Sequence, residues 1–180
     1  MKNTITFICG ISVTLLFAGT ARAADTTGSE QLSAQDKDFV DHVLADGKSD
    51  VQLADIASQK ASSTELKELG AQVSKSQSKA DDQLKEMLQK KGISTEAASA
   101  TSTITSVGQS LEGVTGANLD KDCVQGMIKN AEKNVAECKK EIADGTDTEL
   151  RVWAAKELPV QEAHLQEAKH VESTLGSNKY

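Results

Sequence analysis

Residues Ser62–Gly92, SSTELKELGAQVSKSQSKADDQLKEMLQKKG, decide the fold. Leu66, Leu69, Val73, Ala80, Leu84 and Met87 or Leu88 recur at spacings of three and four, which puts them on one stripe of an α-helix. Ser62 with Glu65 three residues later forms the S-x-x-E capping pattern at its start. Lys90-Lys91-Gly92 ends it, with cations at the negative end of the helix dipole and a glycine for a left-handed cap. The helix is roughly 28 residues, or about 42 Å, long.

The same signals continue on both sides. Upstream, Ser33 and Asp36 resemble a capping box, and Phe39, Val43, Val51, Ala54, Ala57 and Ala61 keep helical spacing. Gly47 interrupts this run at a cost of about 1 kcal/mol against Ala and leaves room for a kink. Downstream, Ile93 to Gly116 is rich in Ser, Thr, Ala and Gly, with Ile104, Val107, Leu111 and Val114 spaced for a short helix. A third helix follows from about Asn118 to Asp144, with Val124, Met127, Ile128, Ala131, Val135, Cys138 and Ile142 on one face. Gly145 stops it. Thr146 with Glu149 opens a fourth helix carrying Leu150, Trp153, Ala154, Leu158, Leu165, Ala168, Val171 and Leu175, in which Pro159 removes a backbone donor and predicts a kink near Lys156.

Connection lengths then set the topology. The breaks at Ala61–Ser63 and Gly145–Thr146 allow only antiparallel hairpins. The connection between helices two and three, roughly 25 residues at up to 3.3 Å each, can run back along a whole helix. Two hairpins joined by one long crossover containing a short helix is an all-α, ferritin-like four-helix bundle. The scarcity of Pro (1 residue) and of aromatics (3%) agrees, and argues against a β-sandwich or barrel.

Met1–Ala23 reads as an export signal, with Lys2, an apolar run from Ile5 to Ala18, and Ala21 and Ala23 in the A-x-A pattern that precedes cleavage. The run is about 14 residues, against roughly 20 for a membrane span. Cleavage between Ala23 and Ala24 leaves 157 of the 180 residues. The order expected is signal 1–23, a polar flexible leader 24–32, bundle 33–175 and tail 176–180. No later segment approaches a membrane span, so the mature chain is expected to be periplasmic or secreted. Loss of Lys2 and Arg22 takes the net charge from −7 to −9. That charge, with Phe39, Trp153 and Tyr180 as the only mature aromatics, argues against a nucleic-acid partner.

Functional clues are confined to polar residues on apolar faces. At about 100° per residue, Asp50 lies about 20° from Phe39, with Asp46 close by. Gln77 fills the gap between Val73 and Ala80, and His164 stands below Ala168 and Val171. If the bundle closes, Asp50, Gln77 and His164 meet. They then form a satisfied polar layer that fixes register, an edge that reaches water, a reduced metal site on Asp50 and His164 holding iron or zinc weakly, or a catalytic group. Di-iron bundles use Glu-x-x-His on two helices; this chain has the single string Glu167-x-x-His170, whose His lies roughly 100° off the stripe and faces solvent. His42 is some 60° off its stripe and can reach Asp46. No Cys-x-x-Cys, phosphate-binding Gly loop or nucleophile elbow occurs.

Cys9 leaves with the signal. Cys123 and Cys138 share helix three, 15 residues or about 22 Å apart, and cannot pair within an intact helix. Cys138 is on the apolar stripe. Cys123 is placed nearer the edge in the first turn, where the helix dipole lowers a thiol pKa, which makes it the candidate reactive thiol, for an intermolecular disulfide or oxidant sensing. A packed free thiol is the favoured alternative.

The run Phe39–Gly92, Leu119-Asp120 opening a helix, and Leu158-Pro159 followed by His164 resemble the exported bacterial family called domain of unknown function 4142, over about Asp38 to Leu175. The resemblance implies a ferritin-like helical bundle. It also implies inward-facing groups: an acid late in helix one, Asp-His pairs in helices two and three, and a His after Leu-Pro. Asp50 and His164 match the first and last. Ser76-Gln77 and Asn130-Ala131 stand where the pairs would be, so two of the three histidines are replaced. The expectation is an exported, non-catalytic bundle without a cofactor, envelope- or stress-associated, with a protein partner or itself as partner. The alternatives are a ferritin-like metal binder with a reduced site and a holdase-like chaperone.

Overall fold

A computed structural model describes residues 32–94 and 110–177. The signal segment, the Ala23–Ala24 junction, all of the leader but Leu32, Ile104 and Val107 of the expected short helix, and residues 178–180 lie outside the described residues. Four helices carry the fold: α1 Ala34–Lys60, α2 Thr64–Lys90, α3 Gly116–Asp144 and α4 Thr148–Ser177. The last continues two residues beyond the expected end at Leu175.

The starts of α1, α2 and α4 carry side-chain caps, whereas Thr115 ahead of α3 makes no such hydrogen bond. Ser33 and Asp36 form the full capping box at α1. At α2 the N-cap is Ser63, whose side chain accepts from the Leu66 N–H, and not Ser62 as the pattern suggested. At α4 the Asp147 carboxylate accepts from the N–H groups of Glu149 (2.9 Å) and Leu150 (3.0 Å), taking the role expected of Thr146. Gly92, at φ +72, ends α2 as expected, with Gly92 N–H donating to Gln89 O and Ile93 N–H to Leu88 O. Gly145 ends α3 at φ −62, without a left-handed residue.

The two displaced capping residues are held by aspartates of the opposite hairpin. Asp120, in the first turns of α3, accepts from the N–H groups of Ser62 (2.7 Å) and Ser63 (2.9 Å). Asp36, in the first turn of α1, accepts from Thr146 N–H (2.8 Å), Thr146 Oγ1 (2.5 Å) and Asp147 N–H (3.2 Å). Both carboxylates are buried. Thus the start of α1 meets the α3–α4 turn, and the start of α3 meets the α1–α2 turn. The end of α2 lies with the first group, since Lys91 Nζ pairs with Asp147 (2.9 Å) and Glu149 (2.7 Å). Helices α1 and α4 therefore run one way, and α2 and α3 the other. That is the polarity a crossover demands, and residues 95–109, where it would pass, lie outside the described residues.

The core is divided in two. Phe39, Val40, Leu44, Leu84, Leu88, Cys138, Leu150 and Ala154 fill one end, where Phe39 meets Trp153 edge-on at 5.9 Å between ring centres. Leu53, Ala54, Ala57, Leu66, Leu69, Leu119, Cys123, Val124, Ala168 and Val171 are among those that fill the other. Leu111 and Val114 pack against this second end. On α1 the buried face is wider than the expected stripe. Leu44 and Leu53 are buried while Val43 and Val51 are half-buried, because α1 packs on α2 and α3 together.

Two glycines set the spacing of α1 and α2. A Cβ on Gly47 would collide with the Asp81 carboxylate, so this glycine serves close approach. A Cβ on Gly70 would sit 2.6 Å from Ala54 O and 2.8 Å from Ser58 N, both backbone atoms that cannot move aside. Gly70→Ala is therefore expected to destabilise the protein by roughly 1–3 kcal/mol through overpacking, although alanine is the better helix former by about 1 kcal/mol. Urea denaturation followed by circular dichroism checks the sign. Asp120→Ala, which strips two backbone donors of their acceptor, is expected to cost roughly 1–3 kcal/mol by the same assay.

Candidate functional site

Between the two apolar halves lies a layer of polar side chains drawn from all four helices. Asp50, Gln77, Asn130, Asn134, Gln161 and His164, with Leu53, Val73, Met127 and Ala131, line a cavity of about 20 Å³, room for about one water molecule. The three residues singled out from the sequence, Asp50, Gln77 and His164, thus share one cavity and are each no more than 6% exposed.

They do not touch one another directly. Asp50 accepts from Asn130 Nδ2 (2.5 Å) and Asn134 Nδ2 (2.7 Å), one on each oxygen. Asn134 Nδ2 also reaches Gln161 Oε1 (3.3 Å), Gln161 Nε2 donates to Gln77 Oε1 (3.1 Å), and Gln77 Nε2 donates to Asp81 Oδ1 (3.0 Å). The chain of amides therefore runs from one buried carboxylate to another. His164 stands apart, with Nε2 3.0 Å from Ser76 Oγ. Ser76 Oγ also donates to Val73 O at 3.1 Å. With the hydroxyl proton given to Val73, the ring donates through Nε2–H as a neutral imidazole.

Burial controls the charges here. It pushes Asp50 up to about 7 against the pull of Asn134 and Asn130, with the Asp46 and Asp81 charges adding to the rise. It pushes Asp81 up to about 6, opposed by the Gln77 amide and by Lys85. It lowers His164, with Glu167 opposing. Asp46 pairs with Lys133 at 2.6 Å, while His42 approaches Glu137 (3.6 Å) and not Asp46. His170 is exposed, as its angle on the helix indicated.

This donor set does not fit a resident iron or zinc centre. A two-metal site needs several carboxylates and neutral imidazoles at the metals. Here both oxygens of Asp50 are engaged by amide nitrogens, which have no lone pair to give a metal. His164 is the single imidazole, and Ala131 offers nothing. Among the described residues no group of three His, Cys, Asp or Glu side chains is placed to hold a metal ion.

Asn134, Gln161 and Asp81 were missed in the sequence, yet helical arithmetic contained them. Asn134 is four residues after Asn130, Gln161 three before His164, and Asp81 four after Gln77, all on inward faces. Cys123 requires a correction. Because α3 starts at Gly116, Cys123 sits in its second turn and is 0% exposed, packed in the second core half. Burial, with Asp120 and Asp122 adding, pushes its thiol up to about 11, which is the opposite of activation. Cys138 is likewise buried, with its thiol pushed up to about 12 by burial and by Glu157, Glu137 and Glu141, and both cysteines are free.

Two outcomes follow. Neither thiol is expected to react with a disulfide reagent in the native protein, and both should react once urea unfolds it. Asp50, raised in the folded state above the 3.8 of an ordinary aspartate, contributes stability present below that value and lost as pH rises through about 7. Asp50→Asn, which has no proton to lose, is expected to flatten that part of the stability–pH curve between pH 5 and 8.

Comparison with known proteins agrees with this architecture. Among solved structures, the crystal structure of a DUF305 fragment from Deinococcus radiodurans is similar, with a TM-score of 0.63 at 20% identity, over 81% of this chain and 98% of that one. At that identity the likeness is one of fold. No curated protein matches the sequence. Residues 21–171 match the family described as Domain of unknown function (DUF4142), and the chain belongs to that family.

Proposed function

We propose that this chain is an exported, non-catalytic helical-bundle protein of the cell envelope or of a stress response. It works through contacts with other proteins or with copies of itself, and its central layer is a structural lock. One observation carries the reading: side-chain amides satisfy Asp50 and Asp81, the buried carboxylates of the central layer. Amides fix geometry through directed hydrogen bonds, but offer no nucleophile, no acid–base pair aimed at open space and no redox centre. Export rests on the short apolar run and on Ala21 and Ala23. Among the described residues no helix is long and apolar enough to cross a membrane. A holdase would need apolar surface for its clients, and Val152 is the one exposed large hydrophobic side chain among the described residues.

Two measurements test the reading. Intact mass of the protein recovered from its compartment is expected to fit a chain beginning at Ala24. Calorimetric titration with zinc or ferrous iron is expected to show wild type binding no tighter than His164→Ala. That variant should lose roughly 1–2 kcal/mol of stability from the partner it leaves unpaired. Tight uptake of two metals per chain, abolished by the substitution, would restore the metal-binding reading.

A further inference from the structure

At the far end of the bundle from Asp120 lies one buried carboxyl that is used by nothing described so far. Glu141, in the last turn of α3, is 0% exposed. Its Oε1 has no hydrogen-bond partner, and its Oε2 receives only a long bond, 3.4 Å, from Gln35 Nε2. A buried carboxylate so poorly solvated is costly. A Cβ on Gly145 would collide with this carboxyl group, so the glycine that ends α3 makes the space in which Glu141 lies.

Its neighbours come from every element at that end. From α1 come Gln35, which reaches the Glu141 carboxyl, and Asp36, whose carboxylate holds the Thr146 and Asp147 N–H groups beside the Gly145 against which Glu141 lies. From the α3–α4 turn come Thr146 and Asp147. From the end of α2 comes Lys91, engaged by Asp147 and Glu149. From α3 itself comes Lys140, whose ammonium is turned to Gln35 Oε1. Asp36 already receives five hydrogen bonds: from Ser33 N–H (3.2 Å), Ser33 Oγ (2.6 Å), Thr146 Oγ1, Thr146 N–H and Asp147 N–H. Such a group is fixed as the anion. Two adjoining buried carboxyls cannot both ionise cheaply, so the proton belongs to Glu141.

We propose that Glu141 and Asp36 form a carboxyl–carboxylate pair holding one proton, a proton-binding site at the seam of the two hairpins that fastens them in acid and loosens them in alkali. The charge balance is simple. Protonated Glu141 donates to the Asp36 anion, and raising the pH transfers that proton to water and leaves two facing negative charges.

The direction of each shift agrees. Burial pushes Glu141 up to about 7, opposed by Gln35 and assisted by Asp36 and Asp147. Asp36 would be raised by burial, but its hydrogen bonds from Ser33, Thr146 and Asp147 hold it well below the ordinary carboxylate range. Because Glu141 is raised, its contribution is complete below the ordinary 4.5 and disappears as pH rises through about 7. Asp36 acts oppositely: its contribution is lost as pH falls below 3.8. The seam is tightest in the mildly acidic range between them.

The test uses the mature chain, with urea unfolding of wild type, Glu141→Gln and Glu141→Ala from pH 5 to 8, and a carbon-13 NMR titration of the Glu141 carboxyl. The Gln variant keeps a donor for Asp36 and has no proton to lose. The ratio of the wild-type to the Gln-variant folding constant is therefore expected to fall by on the order of 10- to 100-fold between pH 5 and 8. Glu141→Ala, which removes the donor, is expected to be less stable than Glu141→Gln at every pH. The wild-type carboxyl is expected to titrate above pH 6. A Glu141 midpoint at or below about 4.5, or a Gln variant with the full wild-type pH dependence, overturns the proposal. If the Gln variant does not fold, the wild-type carboxyl titration alone decides.

Discussion

Two aspartates exchanged between hairpins fix this bundle. Asp36 at the start of α1 binds the α3–α4 turn, and Asp120 at the start of α3 binds the α1–α2 turn. Each supplies an acceptor to backbone N–H groups that a tight helix–helix turn leaves without one. Both contacts can exist together only if α1 and α3 are antiparallel. Once that holds, each hairpin's second helix is determined, and α2 and α3 must run the same way. The long stretch between them in sequence is a consequence of this polarity.

The exchange also sets height. With both ends of α1 tied to the opposite hairpin, Asp50 near its middle falls level with Asn130 and Asn134 on α3, and Gln77 and Gln161 complete the ring. Above and below are apolar clusters, so sliding one helix by a turn, about 5.4 Å, would press leucines onto carboxylates and strip the amides of their partners. An entirely apolar core of Leu, Ala and Val has no such preference among registers. The polar layer supplies specificity where propensity and hydrophobic burial supply only adhesion.

Much of this was legible in the sequence, and the reasons are local. Capping at Ser33, the stripe Leu66–Leu88 and the stop at Gly92 depend on residues within a turn of one another, and they read correctly. Asp50, Gln77 and His164 were found because a polar residue interrupting a stripe is visible from spacing alone. What failed was whatever depends on a second chain segment. Ser62 and Thr146 satisfy the local capping rule as well as Ser63 and Asp147 do. Thr146 lost the role because its hydroxyl is spent on Asp36, 110 residues away, and Ser62 because it lies in the turn that Asp120, 58 residues away, holds ahead of the helix start at Thr64. Cys123 was misplaced for a related reason: Gly116 and Ala117 extend α3 by two residues, about half a turn, before Asn118, which sets the thiol further from the helix terminus, where it packs in the core. Glu141 was invisible because a glutamate in the last turn of a helix is usually a solvated charge; only the cleft made by Gly145 and the nearby Asp36 make it a buried acid.

The central layer and the seam use one chemical idea in two ways. Each buries a carboxyl group without a cation. In the centre, primary amides surround Asp50, and an amide can present either its nitrogen or its oxygen, so the ring can accommodate the protonated as well as the ionised acid. At the seam the partner of Glu141 is Asp36, whose lone pairs can only accept, so one proton there is required and not merely tolerated. The two places therefore differ in what they ask of pH. Losing a proton at Asp50 leaves its amide donors intact and costs only the burial of a charge. Losing one at Glu141 turns an attraction between α1 and α3 into a repulsion, at the junction that also holds the α3–α4 turn. The seam is thus the point at which a change in protonation acts on the assembly of the hairpins, while the centre keeps their register.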